Sequence, residues 1–223
     1  MAIELLTPFT KVELEPEIKD KKRKQVGILG GNFNPVHNAH LVVADQVRQQ
    51  LGLDKVLLMP EYEPPHVDKK ETIDEGHRLK MLELAIDGIE GLEIETIELE
   101  RKGISYTYDT MKLLNERDPD TDYYFIIGAD SLFYFDEWKN PERICAAAKI
   151  LVATRDQAKE KELLACMERN AKKLHGTFLK LDTPNLDVSS HELREWIREG
   201  KSVKYYLPDS VISYIQEQKI YQD

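Results

Sequence analysis

Apolar and polar positions follow two recurring patterns from residue 25 onward. Short continuous apolar runs predict strands buried on both faces, and longer segments with apolar residues every three or four positions predict amphipathic helices. The runs that predict strands are residues 25–29, 55–59, 123–127, 149–153 and 177–181. Residues 92–99 are also predicted as a strand, half-buried, because apolar and polar positions alternate there with one break in register. The predicted helices are residues 38–51, 75–87, 108–116, 141–148, 159–173, 190–199 and 209–218. This alternation predicts an α/β fold with a doubly wound, mostly parallel sheet and helices on both faces.

The first 24 residues follow neither pattern. They hold two prolines, a cluster of glutamates and the basic run Lys21-Lys22-Arg23-Lys24, with weak periodicity. We therefore predict a partly ordered N-terminal arm at residues 1–24 and one domain at residues 25–223. The sequence leaves open what the arm does, including contact with a neighbouring subunit in a homo-oligomer.

Composition narrows the class of protein. The chain has 223 residues, of which 32% are charged and 41% hydrophobic, and a formal net charge of −10. That charge argues against broad binding to nucleic acid or to membrane surfaces, and we see no apolar run of membrane-spanning length and no signal-peptide pattern. The two cysteines, Cys145 and Cys166, are predicted to be free thiols. Together these features predict a globular protein of the reducing cytoplasm.

The segment that joins the first predicted strand to the first predicted helix carries the most chemical information. Glycines let a ligand approach the backbone closely, and a helix N-terminus presents N–H groups and a positive dipole end. The segment contains neither G-x-G-x-x-G nor the G-K-[S/T] of a P-loop. We interpret it as a polyphosphate site, against the simpler alternative of a tight connection. Its turn consists of Gly30, Gly31, Asn32, Phe33, Asn34 and Pro35.

Two histidines, His37 and His40, follow this turn three residues apart, and so on one face of the predicted helix. An H-x-x-H pair with no third ligand nearby makes a zinc site the weaker interpretation. A single helical histidine is usually structural. Two imidazoles on the first helical turn, after a double glycine and Asn34-Pro35, favour contact with an anion.

A second candidate anion site lies at residues 187–194. Ser189 or Ser190 can cap the predicted helix, and Glu192 can complete a capping box. Taken alone, this pattern is typical of a well-capped surface helix. The functional alternative is that the helix N–H groups, the serine hydroxyls and the fork of Arg194 bind phosphate oxygens.

The two segments resemble the paired signatures of the adenylyltransferase and cytidylyltransferase superfamily, G-x-F-[ND]-P-x-H-x-G-H and I-S-[SA]-T-x-x-R. Further stretches resemble the bacterial nicotinate-nucleotide adenylyltransferases, namely Pro64-Pro65-His66, Ser105-Tyr106-Thr107-Tyr108-Asp109-Thr110, Phe125-Ile126-Ile127-Gly128-Ala129-Asp130 and Trp138. This narrower resemblance implies a Rossmann-like fold and transfer of AMP from ATP to nicotinate mononucleotide, giving deamido-NAD and pyrophosphate in NAD biosynthesis.

The resemblance also implies roles for individual residues. The acceptor phosphate is already anionic, so catalysis would rest on holding two anions together and stabilising charge at the α-phosphorus. The expected catalytic residues are His37, His40 and Arg194. The expected ATP-binding residues are Gly30, Gly31, Asn32, Phe33, Asn34, Gly128, Asp130, Ser189 and Ser190. The expected acceptor-binding residues are His66, Thr107, Tyr108, Trp138 and Arg155.

Trp138 is expected to stack on the pyridine ring, and Thr107 with nearby N–H groups to receive the nicotinate carboxylate. Arg155 is expected at the acceptor phosphate, and residues 61–70 as a lid over the site. Mg²⁺ is expected to bridge the ATP phosphates without ligands from protein side chains.

The chain departs from the family pattern at four positions. Ala39 stands where glycine is usual, His191 where threonine is usual, and Glu63 and Val67 where lysines are common. ATP should fit beside Ala39 if the backbone there is a right-handed helix. Three alternatives stay open: another adenylyl- or cytidylyltransferase, such as one acting on phosphopantetheine, a non-catalytic nucleotide-binding regulator, and a metal-dependent hydrolase using the two histidines.

Overall fold

One parallel sheet is the frame for all candidate site residues. The computed structural model describes residues 23–65, 72–154, 160–184 and 186–222 and, at residues 4–6, the backbone alone. The strands in these ranges are β1 (Glu4–Leu6), β2 (Lys24–Gly31), β3 (Lys55–Pro60), β4 (Leu92–Ile94), β5 (Thr121–Gly128), β6 (Lys149–Thr154) and β7 (Phe178–Asp182). Their order across the sheet is β1-β7-β6-β5-β2-β3-β4, and every neighbouring pair is parallel.

Helices connect these strands and cover both faces, which confirms the predicted doubly wound α/β fold. They are α1 (Asn38–Leu51), α2 (Glu75–Ile86), α3 (Ile97–Arg101), α4 (Thr107–Arg117), α5 (Ala129–Phe133), α6 (Pro141–Ala147), α7 (Glu160–Leu174), α8 (Ser190–Arg198) and α9 (Asp209–Glu217). A short 3-10 helix covers Phe135–Glu137. None of the helices in the described ranges has the length and apolar character needed to cross a bilayer.

The strand predicted at residues 92–99 is wrong in its second half. Only Leu92–Ile94 forms β4, and Ile97–Arg101 forms the helix α3. The carboxylate of Glu95 accepts a hydrogen bond from the N–H of Ile97 at 3.1 Å. This local side-chain bond to the backbone competes with the sheet ladder, and the strand gives way to a helix there.

Part of the predicted arm belongs to the sheet. Residues Glu4–Leu6 pair in parallel with residues 179–181 of β7 as the edge strand β1. Three residues are too short a run to show a period in the sequence, so only the partner strand reveals this one. Residues 7–22 lie outside the described residues, and the domain boundary after residue 24 stays a prediction.

An apolar cluster lies on each face of the sheet. One packs α1, α2, α8 and α9 against strand residues such as Leu29 and Ile126. The other packs α4, α6 and α7 against residues such as Ile28 and Phe125. Successive strand residues point to opposite faces, which is why Ile28 and Leu29 belong to different clusters.

The centre of the sheet is the place where the chain reverses its direction of winding. From β2 the chain continues to β3 and β4 on one side, and it then returns to β5, β6 and β7 on the other. Open sheets of this kind bind ligands at the carboxyl ends of the strands beside such a switch point. Here β2 ends at Gly31 and β5 at Gly128, both among the predicted site residues.

Candidate active site

The turn after β2 brings the predicted glycines to the carboxyl edge of the sheet. A Cβ added to Gly30 or Gly31 would meet its nearest neighbours at 3.5–3.8 Å, which is ordinary contact. Neither glycine has a positive φ, whereas the buried Phe33 adopts φ 48°. The fold itself therefore does not demand glycine at these two positions. Close approach by a ligand is the remaining physical reason for them.

His37 and His40 lie together at the start of α1. Their rings stack with centroids 3.6 Å apart, and the Phe33 ring meets His40 edge-on at 5.0 Å. The backbone N–H of His37 donates to Nδ1 of His40 at 3.2 Å. Because Nδ1 accepts, the proton of a neutral His40 ring is carried by Nε2. This tautomer makes Nε2 a hydrogen-bond donor.

The start of α1 is less open than the sequence suggested. The N–H of Asn38, the first residue of the helix, donates to the carbonyl of Tyr206 at 2.8 Å. The second residue, Ala39, is buried and lies in right-handed helix. This is the backbone conformation in which we expect ATP to fit beside an alanine at this position.

The N-terminus of α8 docks on the glycine turn, so the two predicted phosphate segments do meet. The hydroxyl of Ser190 donates to the carbonyl of Pro35 at 2.9 Å. Arg194 is 7% exposed, and its Nη1 donates to the carbonyl of Asn34 at 3.0 Å. These side chains thus hold the protein's own carbonyls, a role that the sequence did not indicate.

Ser189 and His191 belong to the same end of α8. The hydroxyl of Ser189 accepts from the N–H of Glu192 at 3.2 Å and donates to its carboxylate at 2.7 Å, completing the predicted capping box. The exposed His191 places Nδ1 3.4 Å from Nη2 of Arg194. The residue in the usual threonine position therefore contacts the guanidinium.

Two further side chains support the turn from within the protein. The fully buried Arg78 donates from Nη1 to the carbonyl of Asn32 at 2.9 Å. The hydroxyl of Tyr221 donates to Oδ1 of Asn34 at 2.6 Å, and burial raises the pKa of Tyr221 above its usual range. The sequence analysis missed both. Arg78 did carry a signal, because it shares the buried face of α2 with Met81.

At the end of β5 the backbone is open. A Cβ on Gly128 would meet nothing within 4 Å, and Asp130 is exposed on the first turn of α5. Asp130 lines a depression of about 500 Å³ together with Tyr134 and Glu162. Asp130 comes just after β5, one of the two strands that flank the switch point.

A separate cavity of about 390 Å³ collects part of the predicted acceptor site. Thr107 and Trp138 line it, and Trp138 packs on Phe135 with ring centroids 5.2 Å apart. Tyr108 instead lines a neighbouring groove, with its ring 5.9 Å from the guanidinium of Arg143. Consecutive helical residues point about 100° apart, so Thr107 and Tyr108 face different spaces.

The cavity also contains residues to which the sequence analysis assigned no role in binding the acceptor. Its lining includes Glu61, Ser105 and Lys139, and the ammonium of Lys139 lies 4.0 Å from the centre of the Tyr106 ring. Burial, reinforced by nearby Glu98, raises the pKa of Glu61 to about 7, although Arg78 opposes the shift. Glu61 directly follows a buried strand, which is a positional signal that sequence reasoning overlooked.

His66 and Arg155 lie outside the described residues, as does the part of the predicted lid after Pro65. The described cysteines are free thiols, as predicted, and burial raises the pKa of Cys145 to about 12. A thiol that stays protonated in this way is a poor nucleophile.

With this geometry in place, comparison with known proteins identifies the family. Residues 28–196 match the cytidylyltransferase-like family model. A probable nicotinate-nucleotide adenylyltransferase of Streptococcus pneumoniae is 60% identical over 99% of this chain and its own full length. That of Streptococcus mutans is 59% identical over the full length of both chains. The chain belongs to the nicotinate-nucleotide adenylyltransferase family.

Solved structures confirm the fold of this family member. A nicotinic acid mononucleotide adenylyltransferase of Plasmodium falciparum complexed with NaAD superimposes with a TM-score of 0.73. The alignment covers 89% of this chain and 97% of that one, at 20% sequence identity. The same Plasmodium enzyme complexed with APC gives a TM-score of 0.72 at 21% identity. The Rossmann-like architecture is therefore shared at low identity.

Proposed function

We propose that the chain transfers AMP from ATP to nicotinate mononucleotide, producing deamido-NAD and pyrophosphate. The observation that carries the proposal is the junction of two helix N-termini, α1 and α8, on one glycine turn. Two such ends direct the positive ends of two helix dipoles at a polyphosphate. The relatives' names support the choice of acceptor.

In the proposed complex, ATP lies along the turn. Gly30 and Gly31 allow the triphosphate to approach the backbone, with Asn32, Phe33 and Asn34 completing the turn. His40 donates from Nε2 to the α-phosphate, and His37 lies beside it. At the other side of the triphosphate, Arg194, Ser189 and Ser190 position the α8 N-terminus against the β- and γ-phosphates. Gly128 and Asp130 lie near the adenosine.

The chemical step is an in-line displacement. A phosphate oxygen of the acceptor forms a bond to the α-phosphorus while the bond from that phosphorus to the bridging oxygen breaks, and pyrophosphate leaves with the electron pair. The attacking oxygen is already anionic, so no protein base has to remove a proton. The contribution of the chain is to hold two anions together and to neutralise developing charge.

Mg²⁺ enters this scheme with ATP. No group of three or more histidine, cysteine or carboxylate side chains in the described ranges has the arrangement of a metal site. We propose that the ion is carried by the phosphates as the Mg·ATP substrate, because Mg²⁺ keeps several waters and binds phosphates readily. When bound, the ion would neutralise charge on the leaving pyrophosphate.

The acceptor is proposed to occupy the cavity at Thr107 and Trp138. Trp138 offers a ring face for the pyridine, and the first turn of α4 offers N–H groups for the carboxylate. We keep His66, Tyr108 and Arg155 as further proposed acceptor contacts, although the structure places Tyr108 in the adjoining groove. The cytoplasmic location expected from the sequence stays a prediction.

The test is pyrophosphate release from Mg·ATP with nicotinate mononucleotide, nicotinamide mononucleotide or phosphopantetheine as acceptor. We expect release with the nicotinate compound and much slower release with the other two. Faster turnover with phosphopantetheine than with nicotinate mononucleotide would show that phosphopantetheine is the preferred acceptor. Tight ATP binding without release for any acceptor would instead favour a nucleotide-binding regulator.

A further inference from the structure

Glu61 occupies a fixed position between the glycine turn and the acceptor cavity. It is the first residue after β3, and its N–H donates to the carbonyl of Gly31 at 3.0 Å. The next two residues are hydrogen-bonded to Ser105. The N–H of Tyr62 donates to the hydroxyl of Ser105 at 3.0 Å, and the N–H of Ser105 donates to the carbonyl of Glu63 at 2.9 Å. Glu61, Ser105 and Thr107 consequently line one cavity in a set arrangement.

The charges that face this carboxyl come from several elements. Arg78 on α2 attracts the ionised form, and Glu98 on α3 repels it. Glu137 and Lys139 line the cavity from the segment before α6, and the Lys139 ammonium lies over the ring of Tyr106. Tyr62 and Glu63 flank Glu61 in its own segment.

The buried charges behind the cavity are incompletely matched. Within the described residues, Nε of the fully buried Arg78 and Oε2 of the buried Glu98 have no hydrogen-bond partner. Glu98 uses its other oxygen to accept from the hydroxyl of Thr110 at 2.6 Å. Unsatisfied buried polar groups are costly, and a role in function is one of the reasons for which a fold retains them.

Desolvation of the Glu61 carboxyl, together with the nearby charge of Glu98, raises the pKa of Glu61 to about 7. The side chain therefore exists in two chemically different forms near neutrality. A protonated carboxyl can donate one hydrogen bond, whereas a carboxylate only accepts.

We propose that Glu61 is a specificity-determining residue that faces the substituent on the acceptor's pyridine ring, a role that rests on the proposed function. As the neutral acid it donates a hydrogen bond to an acceptor carboxylate. As the carboxylate it repels that group and accepts from an acceptor amide. The choice between the acid and the amide acceptor is thus coupled to proton binding at this side chain.

The first test measures the ratio of kcat/KM for nicotinate over nicotinamide mononucleotide as a function of pH. From about pH 6 to about pH 8 we expect the ratio to fall about tenfold in the wild type, because the protonated fraction of such a group falls by about that factor. The ratio should stay level in Glu61→Gln and keep its slope in Glu61→Asp. Glu137→Gln, which removes a negative charge from the same cavity, should also keep the slope.

A second test does not depend on turnover. Calorimetric titration with nicotinate mononucleotide, in two buffers of different protonation enthalpy near pH 7, counts the protons taken up on binding. We expect more uptake by the wild type than by Glu61→Gln, since a bound carboxylate stabilises the protonated form of Glu61. The difference between the proteins cancels titration of the ligand's own phosphate.

The two tests separate the possible failures. Equal proton uptake by wild type and Glu61→Gln, or a pH slope that Glu61→Gln retains, would overturn the role of Glu61 even in an active enzyme. Uptake that depends on Glu61, in a protein that releases no pyrophosphate, would support the role and refute the proposed function.

Discussion

The glycine turn and the acceptor cavity lie at the same edge of the sheet but use their polar groups in opposite ways. At the turn, the side chains of Arg78, Ser190, Arg194 and Tyr221 bind the oxygens of the turn itself. In the cavity, side chains such as Glu61 face the space that a ligand would occupy. The turn is therefore a prearranged backbone cradle, and the cavity leaves recognition to side chains. Charged phosphate groups are common to many nucleotides, so a phosphate site does not have to distinguish them. An acceptor site must distinguish its substrate from chemically similar compounds.

The largest effect expected at the turn comes from His40→Ala. Loss of the Nε2 donor at the α-phosphate should lower kcat/KM by roughly 10²–10⁴ with the fold intact. Steady-state pyrophosphate release and circular dichroism check this. His175→Asn, a change at an exposed histidine after α7, should leave both unchanged. A loss below tenfold for His40→Ala would remove this side chain from the chemical step.

Arg194→Ala tests whether the buried guanidinium contributes both to the stability of the fold and to activity. The carbonyl of Asn34 would lose a charged donor, so we expect the free energy of unfolding to fall by about 2 kcal/mol. Activity should fall more than tenfold because the α8 N-terminus loses its anchor. Urea titration and turnover measure the two effects. Arg198→Ala at the exposed end of α8 is the matched control, and an equally large effect there would contradict the assignment.

Glycine substitutions separate ligand space from packing. Gly30→Ala should keep the melting temperature and raise KM for ATP at least about tenfold, because its added Cβ meets only ordinary protein contacts but enters the space proposed for phosphate. Gly27→Ala should instead lower the melting temperature, since its Cβ would lie 2.9 Å from Cγ2 of Val56. A Gly30→Ala protein with normal ATP affinity would mean that the triphosphate lies elsewhere.

Trp138→Ala tests the cavity side of the comparison. Loss of ring stacking should raise KM for the acceptor about tenfold and leave KM for ATP nearly unchanged. Trp138→Phe should retain most of the affinity. Trp196→Ala is a control for loss of a half-buried indole, because Trp196 packs on Tyr206 away from the cavity. An unchanged acceptor KM in Trp138→Ala would end the stacking proposal.

The smallest effect expected is on stability, through the proton of Glu61. The folded protein holds this proton up to about pH 7, whereas the unfolded chain releases it near the ordinary value of 4.5. The folded state binds more protons in that window, so this group lowers stability as pH rises through it. Between about pH 5 and about pH 8, the free energy of unfolding of Glu61→Gln should therefore rise by about 1 kcal/mol relative to that of the wild type. This figure is reduced for the partial hydration of the side chain. Melting curves at the two pH values check this, and a constant difference would contradict it.

Much of the architecture could be predicted because it depends on local periodicity. The predicted helix at residues 38–51 agrees with α1 at both ends, and the buried strands are recovered to within about two residues at each end. The failure at residues 95–99 has a local cause, the side-chain bond of Glu95 to the backbone. The edge strand β1 failed for a non-local reason, since only its pairing with β7 defines it.

The candidate site divides in the same way. By itself the sequence determined the glycine turn, the two histidines and the capped start of α8, because each is a short contiguous pattern with its own backbone chemistry. Only the tertiary structure decided that Arg194 is buried against Asn34, that Tyr108 faces a different space from Thr107, and that Glu61 lines the acceptor cavity. Those outcomes depend on which strands lie side by side and on how deeply a charge is desolvated. Neither is encoded within any one segment of the chain.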